Sequence, residues 1–303
     1  MIKESKQSLI ERAAVRLDLR TLTAGPIPFA PAAAEAGEPA SFVVTPDPRA
    51  RGGVRSSRED HSAVVPERLP RRPVKPETIS FDHARLRQLA LVDWAAGRTR
   101  AGEEFRIIKR QLLEHAANPE RYGPRSNLIM ITSARAGEGR TFTALNLAIS
   151  IAMEQNWQVL LFDACDDENT VASVVRGSPA LGWVDLVEDP TIEASSVILE
   201  TDIPRLSLML PGLRQGCGSE LLASGNMQRL LEELSASNRN RVVLIDAPPC
   251  LDTSDPATLA RVVGQTGLVV EAHATQQEGV EAALELLRGC ENTYVILNKS
   301  RAG

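Results

Sequence analysis

The sequence predicts an α/β fold for residues 79–303, in which a doubly wound, mostly parallel sheet carries helices on both faces. Two observations predict this fold. Runs rich in Val, Ile and Leu, such as NLIMITS and RVVLID, lack polar alternation, which is typical of parallel strands buried on both faces. Amphipathic segments such as TALNLAISIAMEQ lie between these runs, and strand–helix alternation requires right-handed crossovers that put helices on both faces.

The residues before this domain predict a helix followed by a linker. In residues 1–20, Leu9, Ile10, Ala13 and Leu17 recur at helical spacing and predict a short amphipathic helix, which either packs on its own domain or binds a partner or a membrane surface. Ten of the 19 prolines lie between residues 26 and 76. Because such a stretch buries too little apolar surface to offset its ordering entropy, residues 21–78 are predicted to form a disordered linker.

The elements of the domain follow the linker in order. Helical periodicity begins with FDHARLRQLALVDWAA and EEFRIIKRQLLEHAA. After NLIMITS and its helix, the predicted strands are QVLLFDA, RLSLMLPG, RVVLIDAPP, GLVVEA and TYVILN, and the predicted helices are ELLASGNMQRLLEELSA, DPATLARVV and GVEAALELLRG. One α/β domain therefore accounts for all residues after the linker.

Charge and composition argue against several classes of function. The formal net charge of -5 and the pI near 5.6 give no basis for a nucleic-acid partner. No apolar run approaches the roughly 18 residues that a membrane helix needs, and the first residues lack a signal-peptide core. The four cysteines form no CxxC pair, which argues against zinc and disulfide frameworks. We therefore expect a soluble, cytoplasmic protein.

A glycine-rich turn follows the NLIMITS strand. Residues 134–141, ARAGEGRT, are close to the phosphate-binding pattern G-x-x-x-x-G-K-[ST], with Ala134 in the first position and Arg140 where lysine is expected. Small residues allow consecutive backbone N–H groups to turn inward around phosphate oxygens, and the following helix N-terminus favours an anion. The Thr141 hydroxyl is the expected Mg²⁺ ligand. The residues predicted to contact nucleotide here are Ala136, Gly137, Glu138, Gly139, Arg140, Thr141 and Phe142.

Two further strands end in aspartates. Asp163 ends QVLLFD, and Asp246 ends RVVLID. Ligands of open α/β sheets bind beyond the carboxyl ends of the strands, so a carboxylate on each of two neighbouring strands can hold Mg²⁺ and orient a nucleophile. The sequence therefore predicts that Asp163 and Asp246 act together beside the phosphate loop.

With these motifs, residues 80–300 resemble the bacterial tyrosine kinases of capsular and exopolysaccharide synthesis, within the deviant P-loop ATPases that include the partitioning and septum-positioning ATPases. The resemblance is carried by NLIMITSARAGEGRTFTALNLAISIAM, VLLFDA, GSELLASGNMQRLLEEL, VVLIDAPPCLDTSD and YVILNKS. The opening SLIERAAVRL, the linker and FRIIKRQLL are similar to the subgroup associated with exosortase-linked polysaccharide clusters.

The resemblance implies a set of site residues and partners. ATP or ADP with Mg²⁺ would be the cofactors, with Asp163, Asp246 and Arg140 in catalysis, Thr141, Asp163 and Asp246 on the metal, and Asn298 on the base. Lys299, next to it, lies in the region of adenine contacts. The expected partner is a transmembrane polysaccharide co-polymerase, or chain-length determinant, that would hold the protein peripherally at the inner membrane.

Two charged features of the family have counterparts here. The family's E-x-x-R-x-x-R helix motif is matched by Glu103, Arg106 and Lys109, and the spacing of three predicts that their side chains share one face of the helix. In the family this face packs on a neighbouring subunit in a ring, which implies a homo-oligomer through these residues. A solvated charged helix is the alternative. Arg135 is located where partitioning ATPases have a lysine that reaches phosphate across a dimer interface. A solvated loop arginine is the alternative interpretation of Arg135.

The sequence departs from the family in its catalytic segments. Arg140 replaces the compact P-loop lysine with a planar guanidinium, which is not a conservative exchange. The D-x-D-x-R pattern after the second strand becomes Asp163-Ala-Cys165-Asp166-Asp167, so that a cysteine replaces the second aspartate and only Asp166 could substitute for it in part. The family's C-terminal tyrosine cluster has no counterpart, because the only tyrosines are Tyr122 and Tyr294.

Three functions therefore stay open. The first is an ATP-binding regulatory subunit of a polysaccharide-export assembly, weak or inactive in autophosphorylation. The second is an active protein-tyrosine kinase or ATPase that acts on another protein. The third is a partitioning-type positioning ATPase, against which the long Pro-rich arm argues. Whether the protein is an enzyme depends on which of these holds, because the substituted positions are those that phosphoryl transfer needs.

Overall fold

A mixed, mostly parallel sheet forms the centre of the domain. The computed structural model describes residues 78–88, 100–165, 170–177, 179–189, 191–213 and 218–300. The predicted helix over 1–20 lies outside these residues, as do Asp166, Asp167 and all of the predicted linker except its last residue, Thr78, where the first strand begins.

The described residues contain nine strands and nine α-helices. The strands are β1 (Thr78–Phe81), β2 (Leu128–Ser133), β3 (Gln158–Asp163), β4 (Val175–Arg176), β5 (Leu199–Thr201), β6 (Leu206–Met209), β7 (Arg241–Asp246), β8 (Gln265–Glu271) and β9 (Thr293–Asn298). The helices are α1 (His83–Gln88), α2 (Arg100–Ala117), α3 (Pro119–Tyr122), α4 (Arg140–Ala152), α5 (Trp183–Glu188), α6 (Gly218–Leu222), α7 (Gly225–Ser237), α8 (Asp255–Leu259) and α9 (Gln277–Leu286).

The strand order is β4-β1-β5-β6-β3-β7-β2-β8-β9. All pairs among the six strands from β6 to β9 are parallel, as is the pair of β1 with β5, and the antiparallel pairs are β1 with β4 and β5 with β6. The prediction of a mostly parallel, doubly wound sheet is therefore confirmed. Strand β2, which leads into the glycine-rich turn, lies between β7 and β8, so the ends of three strands surround this turn.

Two apolar cores cover the two faces of the sheet. Strand β2 is buried along its whole length, and its side chains alternate between the cores: Leu128 and Met130 point to one, Ile129 and Ile131 to the other. Helices α5, α7 and α9 contribute to the first core, and α2 and α4 to the second. This two-sided burial is why these strands show no polar alternation in the sequence.

The first helical segment begins later than its periodicity predicts. Phe81 belongs to β1, where it is 1% exposed in the second core, and α1 begins at His83. Between them, the Asp82 carboxylate accepts hydrogen bonds from the N–H groups of Ala84 and Arg85 at 3.0 and 3.2 Å. Such a side-chain cap satisfies donors that the first turn leaves without partners, and it separates strand from helix. Among the described residues, none of the helices combines the length and apolar character that a membrane span needs.

Candidate nucleotide site

The phosphate loop comprises residues 134–141, which connect β2 to α4 and include the first two residues of that helix. Gly137 and Gly139 have φ of 86° and 94°, in the left-handed region, whereas Glu138 between them does not. Alternation of this kind turns successive backbone N–H groups toward one side and forms an anion-binding concavity. The Gly139 carbonyl accepts the N–H of Thr143 at 2.9 Å, so α4 begins directly at the loop.

Gly139 is the loop glycine at which a side chain would meet both a strained backbone and a close neighbour. A Cβ there would lie 2.1 Å from Asn298 Nδ2, and the φ of 94° is one that L residues rarely adopt. The close approach has a reason, because Asn298 Nδ2 donates to the Glu138 carbonyl at 2.9 Å. Asn298, predicted to contact the base, therefore contacts the phosphate loop itself.

Two carboxylates bind N–H groups of the same loop. Glu138, 5% exposed, accepts the Arg135 N–H through Oε2 at 2.9 Å and the Thr275 hydroxyl through Oε1 at 2.5 Å. Asp252 Oδ2 accepts the Ala136 N–H at 3.2 Å. The Arg135 side chain is exposed, in agreement with a solvated loop arginine.

Lys299 adds a cation to the edge of the loop. Its Nζ donates to the Gly137 carbonyl at 2.9 Å and to Glu271 Oε2 at 2.8 Å. Its φ of 55° makes it one of three non-glycine residues with positive φ in the described part of the chain. The loop is therefore bound by residues from the ends of β8 and β9, in addition to its own strand.

Asp163 and Asp246 lie side by side in the core of the sheet. They are register partners at the ends of the parallel strands β3 and β7, and both are 0% exposed. Asp163 accepts the N–H groups of Cys165 and Ala172, each at 3.2 Å, and its carbonyl accepts the indole N–H of Trp183 at 2.8 Å. Loss of hydration in the buried site, followed by repulsion from Asp246, raises the pKa of Asp163 to about 7.

Arg140 is directed toward these aspartates and is buried, with 7% of its surface exposed. Its Nη1 donates to Cys165 Sγ at 3.0 Å and to the Ala247 carbonyl at 3.1 Å. Cys165, in turn, donates from Sγ to the Asp246 carbonyl at 3.3 Å. The two substituted positions, Arg140 and Cys165, are therefore in direct contact, although 25 residues separate them.

The last two loop residues predicted to bind nucleotide have different surroundings. Thr141 is partly exposed at the first turn of α4. The Phe142 ring packs edge-on against Phe105 of α2, with ring centroids 6.0 Å apart. Phe142 can therefore offer a ligand its backbone N–H, while its side chain joins α4 to α2.

Asp163, Cys165 and Asp246 form the one cluster of potential metal ligands among the described residues, with ligand atoms within 4.8 Å of one another. The two carboxylates and the Thr141 hydroxyl are hard oxygen donors of the kind that Mg²⁺ prefers. A thiol is a soft donor, which Mg²⁺ does not favour. The repulsion that raises the pKa of Asp163 is one that a bound cation would relieve. The oxygen donors therefore fit Mg²⁺, and Cys165 does not add to them.

The charged motif on α2 is divided between two directions. Arg106 pairs with Glu103 at 2.7 Å on the surface, but Lys109 is 5% exposed and pairs with Glu154 at 2.5 Å. Two steps of three residues turn about 120° around a helix axis, which carries Lys109 from the surface face to the α4 side. The expectation that all three side chains share one face is therefore wrong for Lys109.

We expect Lys109→Met to lower the free energy of unfolding by about 1–2 kcal/mol, because it removes two hydrogen bonds of the ammonium, to Glu154 Oε1 and to the Ser150 carbonyl, while the half-exposed Glu154 returns to water. Urea unfolding of the full chain measures this loss. Arg106→Met is the matched control and should cost at most about 0.5 kcal/mol, as an exposed pair one turn apart on a helix. Unchanged stability with a smaller oligomer would instead assign Lys109 to a contact between subunits.

Thr275, Asp252 and Glu271 were not predicted from the sequence. Thr275 lies 137 residues from its partner Glu138, in a loop without a motif, and no spacing signal could connect the two. Asp252 follows the strand-end segment DAPPC, so its nearness to Asp246 along the chain was the one available hint.

Comparisons with known proteins agree with this architecture. No protein-family model matches the chain. Tyrosine-protein kinase YwqD of Bacillus subtilis is 31% identical over 165 residues, which cover 54% of this chain and 68% of that protein. Tyrosine-protein kinase CpsD of Streptococcus agalactiae is 26% identical over 179 residues, covering 58% of this chain and 77% of that protein.

A solved structure extends the likeness to three dimensions. The kinase domain of the Escherichia coli tyrosine kinase ETK superposes with a TM-score of 0.51 at 28% identity and covers 58% of this chain and 69% of that one. The fold is therefore that of the P-loop NTPase-like kinase domains. With 31% identity over more than two thirds of YwqD, the chain belongs to the bacterial tyrosine-protein kinase family.

Proposed function

We propose that this protein is an ATP-binding member of the family with a degenerate phosphate loop, weak or inactive in autophosphorylation, that acts as a regulatory subunit in exopolysaccharide or capsule biosynthesis and export. The observation that carries the proposal is the contact of Arg140 with Cys165 Sγ and the Ala247 carbonyl. The guanidinium of Arg140 is therefore held by Cys165, the residue that replaces the second aspartate of the family pattern.

Nucleotide binding rests on the backbone of the loop. The N–H groups after Gly137 and the N-terminus of α4 present donors and a positive dipole end to the phosphates, and neither depends on the identity of residue 140. Thr141, Asp163 and Asp246 would hold Mg²⁺, which when bound supplies positive charge that balances the carboxylates and phosphates. ATP or ADP with Mg²⁺ is the ligand that this arrangement fits.

Phosphoryl transfer has weaker support from the same residues. Transfer depends on cations placed against the charge that develops on the moving phosphoryl group. The Nη1 of Arg140 is bound to Cys165 and Ala247, and these protein acceptors restrain the movement of the guanidinium toward that charge. Asp163 and Asp246 are retained, so slow turnover is expected.

The tyrosines of the chain are also poor acceptors. Tyr294 is part of β9 and its hydroxyl lies 2.8 Å from His115 Nδ1, while the Tyr122 ring stacks on His115 with centroids 3.5 Å apart. Burial raises the pKa of Tyr294 to about 12, which opposes its use as a nucleophile. A kinase must free such a side chain from its packing before it can be phosphorylated.

The setting of the protein follows from its family resemblance. We propose a transmembrane polysaccharide co-polymerase as its partner, which would hold it at the inner membrane, and membership of the exosortase-linked subgroup. A ring of identical subunits would use Glu103 and Arg106 on the exposed side of α2, because Lys109 pairs with Glu154 of its own chain. We propose that residues 1–20 form a partner-binding helix and that residues 21–77 form a disordered linker, which ends where β1 begins at Thr78.

We expect Mg·ADP to give measurable heat in titration calorimetry, and labelled ATP to leave little label on the purified chain. Gly139→Ala is the control that should weaken binding strongly, because an L residue rarely adopts the φ of 94° and its Cβ would displace the Asn298 amide from the loop. Absence of heat at millimolar nucleotide would contradict nucleotide binding. Strong phosphotyrosine labelling of this chain, or of an added tyrosine-tailed protein, would favour the active kinase. Dimerisation that depends on nucleotide would favour the positioning ATPase.

A further inference from the structure

We propose that Thr275, Asn298 and Lys299 are positioning residues that hold the phosphate loop in its phosphate-binding shape. Together with Glu138, which receives Thr275, they are called the loop bracket below. The inference rests on the nucleotide-binding function proposed above and extends it, because it assigns Asn298 and Lys299 to holding the phosphate loop rather than to contacting the base. It also adds Thr275 to the residues on which binding depends.

The first step concerns the direction of two peptide groups. In a planar trans peptide, the carbonyl and the N–H point to opposite sides. Lys299 Nζ binds the Gly137 carbonyl at 2.9 Å, which directs the Glu138 N–H away from Lys299. Asn298 Nδ2 binds the next carbonyl, that of Glu138, also at 2.9 Å, and directs the Gly139 N–H away in the same manner. Two successive carbonyls are thus bound from β9, and two successive N–H groups face the opposite side.

The second step concerns the Glu138 carboxylate. A carboxylate inside a phosphate-binding loop would repel phosphate and compete for its N–H donors. Both oxygens of Glu138 already have a partner: Oε1 accepts the hydroxyl of Thr275 from outside the loop, and Oε2 accepts the N–H of Arg135 at the start of the loop. Thr275 is itself oriented, because its Oγ1 accepts the Glu271 N–H at 2.9 Å and its single proton is then directed to Glu138.

The third step concerns the anchoring of Lys299. Its ammonium also binds Glu271 Oε2 at 2.8 Å, so the same residue at the end of β8 orients both Thr275 and Lys299. The backbone of Lys299 is held at a φ of 55°, which residues with a Cβ rarely adopt. Such a conformation persists where surrounding contacts determine it, and here those contacts lead to the loop.

A ligand without a base separates positioning from base recognition. The affinities of the full 303-residue chain for ADP and for inorganic tripolyphosphate are compared in Thr275→Val, Thr275→Ser and Asn298→Ala. We expect Thr275→Val and Asn298→Ala to lower the affinity for both ligands about tenfold, because each removes one hydrogen bond to a charged or buried partner. Thr275→Ser keeps the hydroxyl and should retain wild-type affinity. Thr191→Val is the matched control, because it removes an exposed threonine–carboxylate bond of 2.7 Å to Asp189.

Loss of ADP binding with unchanged tripolyphosphate binding would overturn the proposal and assign these residues to the base. Hydrogen exchange of residues 134–140 in the ligand-free chain gives an independent readout, with about tenfold faster exchange expected in Thr275→Val and Asn298→Ala only. If exchange responds but the wild type binds neither ligand, the bracket stands and the proposed nucleotide function fails. If the wild type binds both ligands and neither affinity nor exchange responds, the bracket fails alone.

Discussion

The combined change of Arg140→Lys and Cys165→Asp is expected to raise ATP turnover at least about tenfold, while either change alone raises it little. The reason is the direct contact between the two side chains, at 3.0 Å from Nη1 to Sγ. Residues in contact are coupled, so their combined effect differs from the sum of the single effects. The pair therefore has to be exchanged as a unit.

Each single variant restores the family residue at only one of the two positions, 140 or 165. Cys165→Asp alone puts a third carboxylate in a buried cluster that already holds Asp163 and Asp246, and its charge-assisted bond would hold the guanidinium more firmly. Arg140→Lys alone provides a compact ammonium but leaves the thiol where the family has an aspartate. In the double variant, the ammonium can reach phosphate while the carboxylate is available to orient water or metal.

Turnover is measured as phosphate release and as label transfer to a tyrosine-tailed protein. Arg140→Lys with Cys165→Ser is the matched control, which exchanges both residues without adding a carboxylate and should show no gain. Calorimetry must show that nucleotide still binds in every variant. A double variant that binds nucleotide but does not turn over would contradict a latent catalytic framework and favour a protein whose nucleotide only stabilises its shape.

The second large effect is expected from pH. The pKa of Asp163 is raised from 3.8 to about 7 by burial and by Asp246, so the folded protein holds a proton that the unfolded chain has released over this range. The contribution of Asp163 to stability is therefore fully present below pH 3.8, falls as pH rises toward 7, and stays low above it. Each unit of pKa difference corresponds to about 1.4 kcal/mol, so the total loss is of the order of several kcal/mol.

We expect Mg·ADP to raise Tm by more at about pH 8 than at about pH 6, because the ionised pair gains most from a cation. Asp163→Asn should remove most of this pH dependence and should raise the Tm of the ligand-free protein above neutral pH. Thermal unfolding of both proteins across this range gives the comparison, in which titrating groups that do not interact with Asp163 cancel and the difference reports the Asp163–Asp246 pair. Equal pH dependence in the two proteins would show that Asp163 ionises with an ordinary pKa.

The predictability of this site differs from residue to residue. The glycine-rich turn, Thr141 and the two strand-end aspartates were predicted, because local sequence determines a strand, its end and the start of the next helix. Strand–helix alternation predicts that β3 and β7 are parallel, whereas the adjacency and register that make Asp163 and Asp246 partners depend on the order of strands in the folded sheet. The position of Asn298 was predicted, but its contact with the Glu138 carbonyl was not.

The α/β fold, the phosphate loop and the substitutions at Arg140 and Cys165 can be predicted from the sequence, because each depends on residues that are neighbours along the chain. The folded chain was needed to show that those substitutions touch each other, that Lys109 faces α4, and that Thr275 and Lys299 bind the loop. These contacts join residues from 25 to 162 positions apart. The directions of these side chains depend on how strand ends and helices pack, and sequence periodicity does not predict that packing.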